Sequence, residues 1–198
     1  MTISLAIDTA TSQTSVALVS DGKVLWQGSQ IGATDHGSVL PQLVQTALGV
    51  SAEIDQVVVG MGPGPFTGLR VGISFAQGFA WARNIPLIGI CSLDAIAHGI
   101  EIDEFIVATD ARRKEVYWAI YKNGERISDL GVSKPAELVS GLPFFGEGSH
   151  LYQLAQSQDF LYPDPVALAA LSSNQKLHVS APLYLRRPDA LSISERSS

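Results

Sequence analysis

Residues 3–7 form an apolar run that ends in Asp8, and residues 15–19 carry small and β-branched side chains. Asp21-Gly22 then turns the chain into residues 23–30. Asp-Gly between two strand-like runs is a strong hairpin signal, because both turn positions need a positive φ. The pattern predicts an antiparallel meander of three strands. Val39, Leu40, Leu43, Val44, Ala47 and Leu48 recur at helical spacing before Gly49. Pro41 suits only a first turn, so this helix is expected to begin near Ser38. Residues 56–59 have the pattern of a buried strand. They run into Gly60-Met61-Gly62-Pro63-Gly64-Pro65-Phe66, which has no regular period. Thr67 is the expected N-cap of a helix over 68–83, ended by Asn84 and Pro86. Residues 87–90 predict a short strand, and a short helix is expected from about Ser92.

The opening plan then returns. Residues 105–110 are an apolar strand ending in Asp110, residues 115–121 a second strand, Asn123-Gly124 a type I′ turn, and residues 126–132 a third strand. One α/β unit occurring twice predicts two lobes that meet at a cleft, each offering an Asp-bearing loop to it. The lobes are expected to span residues 1-102 and 103-198. After Ser133 the second copy weakens. It offers a short helix near Pro135, then Phe144-Phe145-Gly146, and helical stretches over 151–155 and 166–171, the last capped by Asp164-Pro165.

Composition narrows the function. The chain has 198 residues, a formal net charge of -6, 46% hydrophobic residues and 16% charged ones. A typical domain is about 25% charged, so the supply of charge is scarce and apolar surface must meet water or a partner. Disorder is excluded, and so is stand-alone nucleic-acid binding through a broad basic face, since a pI of 5.1 repels phosphates. The single cysteine, Cys91, permits no internal disulfide and fits a reducing compartment. The N-terminal residues lack a positive leader, and no apolar run approaches the length of a membrane helix. The expected location is the cytoplasm.

The twin loops carry the first candidate chemistry. Asp8 is followed by Thr9-Ala10-Thr11-Ser12 and Asp110 by Ala111-Arg112-Arg113-Lys114. Either these residues form a nucleotide cleft in which Asp8 and Asp110, with Thr9 and Thr11, place a metal-bound phosphate, or the carboxylates cap strand ends. The loop 62–68 is not a phosphate-binding Walker loop, because Leu69-Arg70 stands where Lys-Ser/Thr belongs. Its prolines remove amide donors, which suits a rigid turn aiming the next helix. That helix is apolar nearly all round and rich in small residues, so it needs cover on more than one side. The four histidines are isolated and no metal-ligand spacing occurs.

Four blocks in order resemble the bacterial TsaB (YeaZ) family. They are Asp8-Thr9-Ala10-Thr11; Gly62-Pro63-Gly64-Pro65-Phe66-Thr67-Gly68-Leu69-Arg70-Val71-Gly72-Ile73; Asp110-Ala111-Arg112 with Glu115-Val116-Tyr117-Trp118; and Pro182-Leu183-Tyr184-Leu185-Arg186. The resemblance implies an α/β actin-like/Hsp70-like ATPase (ASKHA) fold of two ribonuclease-H-like lobes. It implies a non-catalytic partner of TsaD, the enzyme that threonylcarbamoylates the adenosine beside the anticodon of tRNAs reading codons that begin with A. TsaE, an ATPase, joins them, and tRNA is met only through the complex. Laid on this chain, the His-x-x-x-His metal pair of TsaD falls on Ser92 and Ile96, which cannot replace imidazoles. No intrinsic metal or cofactor is therefore expected, and ATP or ADP only at the partner interface. The resemblance also places the first two helices against TsaD, or against themselves in a homodimer. Leu40, Leu43, Val44, Gly72, Phe75, Ala76 and Phe79 are the expected contacts. The second lobe is short for the family after Asn123-Gly124. An independent ATPase or small-molecule kinase of the same superfold is the alternative.

Overall fold

The computed structural model describes residues 1–32, 34–138, 141–159 and 161–186. The meander forms as expected: β1 (Ile3–Asp8), β2 (Gln13–Ser20) and β3 (Lys23–Ile31) pair antiparallel in order. Asp21 and Gly22 take φ of 44° and 81°, the left-handed pair that this tight turn requires. β4 (Gln56–Gly60) then lies parallel to β1, and β5 (Leu87–Ile90) parallel to β4. The sheet order is β3-β2-β1-β4-β5.

Both faces of this sheet are covered. Leu5, Ile7, Val57 and Val59 pack with Leu40, Val44, Leu69, Ile73 and Ala76, which come from α1 (His36–Val50) and α2 (Phe66–Arg83). Ala6 and Val58, one residue out of phase, pack on the opposite face with Ala95 of α3 (Ser92–Ala97) and Leu168 of α5 (Pro165–Leu171). Strands buried on both sides read as near-continuous apolar runs, which is how residues 3–7 and 56–59 read. Leu40 and Leu69 are fully buried, each contributing roughly 2 to 3 kcal/mol of burial.

The second sheet starts from the same plan and ends differently. β6 (Glu104–Asp110) and β7 (Val116–Lys122) pair antiparallel. The expected third strand over 126–132 is split into β8 (Glu125–Arg126) and β9 (Gly131–Ser133), both paired with β7. Between them Ser128 Oγ accepts the Ile120 amide at 2.9 Å, so a side chain takes the place of a ladder carbonyl. β10 (Phe144–Phe145) lies parallel to β6 and leads into α4 (Glu147–Leu151).

Several expected boundaries are corrected. α1 begins at His36 rather than near Ser38, with the Asp35 carbonyl accepting the amides of Ser38 and Val39. Pro41 therefore sits inside the helix and forfeits one bond. α2 begins at Phe66 directly after Pro65, so Thr67 lies in the first turn and is not the N-cap. Asn84 ends α2 in the left-handed conformation, as its position predicted. The helix expected over 151–155 is displaced to α4, because Gln153 takes φ of 51° and stops it. α5 packs on the first sheet, Val179 donates its amide to Gly89 O, and Leu183 donates to Met61 O.

Candidate functional site

The two Asp-bearing loops come together between the sheets. Asp8, the last residue of β1, is 1% exposed. Its Oδ1 accepts the Ala10 amide at 2.7 Å and its Oδ2 accepts the Ser92 hydroxyl at 2.6 Å. Burial raises its pKa from 3.8 to about 6, against the pull of those two hydrogen bonds, with the charge of Glu147 adding to the rise. Gly60 makes this approach feasible, since a Cβ there would stand 1.8 Å from Asp8 Oδ2. Thr9 ties the loop to α2: its hydroxyl donates to Gly68 O at 2.7 Å and accepts the Gly72 amide at 3.0 Å. Thr11 Oγ1 accepts the Gln13 amide at 3.3 Å.

Asp110, the last residue of β6, has different company. It accepts the Arg112 amide and the Tyr152 hydroxyl, both at 2.8 Å, and pairs with the Arg112 guanidinium at 3.0 Å. Burial first, and then the hydrogen bond to Asp110, push the Tyr152 phenol up to about 12. Glu147, at the start of α4, joins the two halves by accepting the Ser12 hydroxyl at 2.6 Å. Its pKa is raised, chiefly by burial. Ser12 Oγ also lies 3.2 Å from the Tyr162 hydroxyl. Ser12, Glu147 and Tyr162 were not singled out from the sequence, because nothing in their spacing links residues so far apart in the chain. Only the strand–Gly–Glu order of Phe144-Phe145-Gly146-Glu147 hints at a carboxylate aimed from a strand end.

Of the two positions that the resemblance aligns with the histidines of TsaD, Ser92 lies beside Asp8. The Ser92 hydroxyl donates to Asp8 and accepts the Gly62 amide at 3.2 Å, while Ile96 is buried among Leu93, Phe105 and Val107. Among the described residues no cluster of three or more His, Cys, Asp or Glu is arranged to hold a metal ion.

The expected docking residues divide into two sets. Leu40, Val44, Gly72 and Ala76 are buried within the chain, with Leu40, Val44 and Ala76 in the core cluster of the first sheet. At Gly72 a Cβ would stand 2.4 Å from Thr9 Oγ1, so the absent side chain makes room for the loop. Leu43, Phe75 and Phe79 are half-exposed, and the rings of Phe75 and Phe79 stack at 6.1 Å. The Arg83 guanidinium covers Phe79 at 4.7 Å. Trp81, on the same helix, is 86% exposed. Among the described residues no helix is long and apolar enough to cross a membrane.

Comparison with known proteins agrees with this architecture. The family model for TsaD, tRNA N6-adenosine threonylcarbamoyltransferase, matches residues 30–190. A protein of Mycobacterium leprae is 41% identical over 208 residues, covering 98% of this chain and 57% of its own length. The tRNA threonylcarbamoyladenosine biosynthesis protein TsaB of Escherichia coli is 40% identical over 129 residues, covering 61% of this chain and 55% of its own length. The chain thus spans little more than half the length of these curated relatives. YeaZ from Pseudomonas aeruginosa superposes with a TM-score of 0.77 at 26% identity, covering 93% of this chain and all of that one. The two-sheet architecture is the actin-like α/β fold. On sequence and on structure alike, the chain belongs to the TsaB (YeaZ) branch of the threonylcarbamoyltransferase family.

Proposed function

We propose that this chain serves threonylcarbamoyladenosine formation in tRNA as a non-catalytic subunit, docking on a TsaD-type transferase. The observation that carries this reading is the pair Ser92 and Ile96. One hydroxyl is committed to Asp8 and the other side chain lies in the core, so neither offers a metal the lone pair that an imidazole would. The names of the relatives support the pathway, and the match to the TsaD family model supports a transferase-shaped partner.

The docking surface in this proposal is the outer side of α1 and α2, built on Leu43, Phe75 and Phe79 and flanked by Trp81. The same face would serve a homodimer when the transferase is absent. TsaE would join the assembled pair, ATP or ADP would sit at the partner interface, tRNA would be gripped mainly by the transferase, and the work would take place in the cytoplasm. Reconstitution tests this proposal: TsaD, TsaE, tRNA and the threonylcarbamoyl donor are combined with and without the chain. Modified adenosine that depends on the chain, with no turnover by the chain alone, is expected. Full activity without it would reject the role, and turnover by the purified chain alone would favour an independent enzyme.

A further inference from the structure

The chain passes from the first sheet to the second after α3 and back again between α4 and α5. These two crossings run side by side, since Ile100 and Ile102 of the one and Leu161 and Tyr162 of the other line a single cavity. The bond between Ser12 and Glu147 lies on this side too, because Ser12 also touches Tyr162. Adjacent crossings make a hinge, and relative motion is the default for two units joined in that way. A last passage, along residues 178–186, takes another route. Tyr184, Leu185 and Arg186 line a second cavity together with the first turn of α2 and the loop after β6, and the two cavities share no lining residue.

This strap is tied firmly to the first sheet. Val179 donates its amide to Gly89 O and Leu183 donates to Met61 O, both at 2.8 Å, and His178 bridges to Ile90. Tyr184 packs against Phe66 with ring centroids 5.0 Å apart and accepts a hydrogen bond from Arg70 Nε at 3.1 Å. Leu183 packs with the core clusters of both sheets. The far end is held through Arg186, which donates to Ala111 O at 2.9 Å and pairs with the Glu115 carboxylate. The two side chains of that pair are 23% and 27% exposed, so salt screens it less than a surface pair.

Arg186 thereby grips both ends of the loop after β6. Ala111 and Glu115 close this loop, the Ala111 amide donating to Glu115 O at 2.9 Å. Between them Arg112, Arg113 and Lys114 take φ of 60°, 55° and 60°. Three consecutive non-glycine residues in the left-handed region are costly and persist where their surroundings over-determine them. A guanidinium bonded to both ends supplies that constraint.

We propose that residues 178–186 are a latch that sets the angle between the two sheets, fixed on the first sheet and releasable at Arg186. With Arg186 in place, the sheets are held at the hinge and at the strap, and the molecule presents one shape. With Arg186 withdrawn, the sheets turn about the paired crossings and residues 112–114 relax. The test uses the isolated full chain with no transferase present, so its result stands apart from the docking proposal.

Spin labels at Gln45→Cys and Glu125→Cys, exposed positions on α1 and β8, report the distance between the two units by pulsed dipolar spectroscopy. Cys91 is fully buried and does not compete for label. One narrow distance is expected for the otherwise unaltered chain. Arg186→Gln and Glu115→Gln remove partly exposed groups, so both should keep the wild-type circular dichroism while a second distance appears. Arg186→Lys keeps the charge and can still donate, and should recover most of the narrow population. Amide exchange at Ala111 and Glu115 should quicken at least about tenfold in Arg186→Gln. A single narrow distance retained in both Gln variants would overturn the proposal, as would an otherwise unaltered chain that already samples several distances.

Discussion

Asp8 and Asp110 hold matching places, each closing the first strand of its sheet ahead of a tight loop. The first sits in a lobe with five well-formed strands and helices on both faces, the second beside a sheet whose third strand is split and whose α4 has five residues. Their partners differ accordingly. Asp8 is sealed by Gly60, Ser92 and Ala10, with no guanidinium bound to it among its described contacts, whereas Asp110 is held by Arg112 and Tyr152. A thick lobe can bury a carboxylate by close packing alone. A thin one keeps its carboxylate in place with charge and a phenol.

The largest effect is expected at the close-packed side. In Gly72→Leu the new Cβ would lie 2.4 Å from Thr9 Oγ1 and push the Asp8 loop off α2. Urea unfolding should show a loss of about 3 kcal/mol or more. An unchanged midpoint would mean that the loop is not held as described.

The pH dependence sharpens the contrast. The folded pKa of Asp8 is raised to about 6 from 3.8, so between these values the folded state holds a proton that the unfolded state has released. Stability from this group is therefore full below about pH 4, falls as pH rises toward about 6, and stays lower above, by roughly 2 to 3 kcal/mol. Asp8→Asn should lack this fall when unfolding free energies are compared across that window. Parallel wild-type and variant curves would contradict the burial argument.

At the charged side the effect should be smaller. Arg112 is about half exposed, so Arg112→Ala should cost less than about 1 kcal/mol in thermal melting. Trp81→Ala should be smaller still, within about 0.5 kcal/mol, because an indole that is 86% exposed contributes little to the fold. A larger loss there would show that Trp81 serves the core instead of a partner.

Much of the fold was legible where local chemistry and tertiary demand agree. Asp21-Gly22 and Asn123-Gly124 both took the left-handed turns their residues favour, and the doubled strand–Asp plan produced two sheets. What failed depended on contacts distant in sequence. Small residues on α2 mark a close approach, but periodicity cannot say that Thr9 makes it at Gly72 while Phe75 and Phe79 stay half-exposed. The return of α5 and Leu183 to the first sheet likewise rests on pairings that no local pattern announces. The Asp pair was found from its repeat, whereas Glu147 and Ser12 become neighbours only when the sheets meet.

The most direct test of the docking account is sedimentation of the chain with a TsaD-type transferase, comparing wild type with Phe79→Glu/Trp81→Glu. The account predicts a one-to-one complex for the wild type and separate species for a variant that keeps its circular dichroism. A variant that still sediments fully with the transferase, or a wild-type chain that never does, would contradict it.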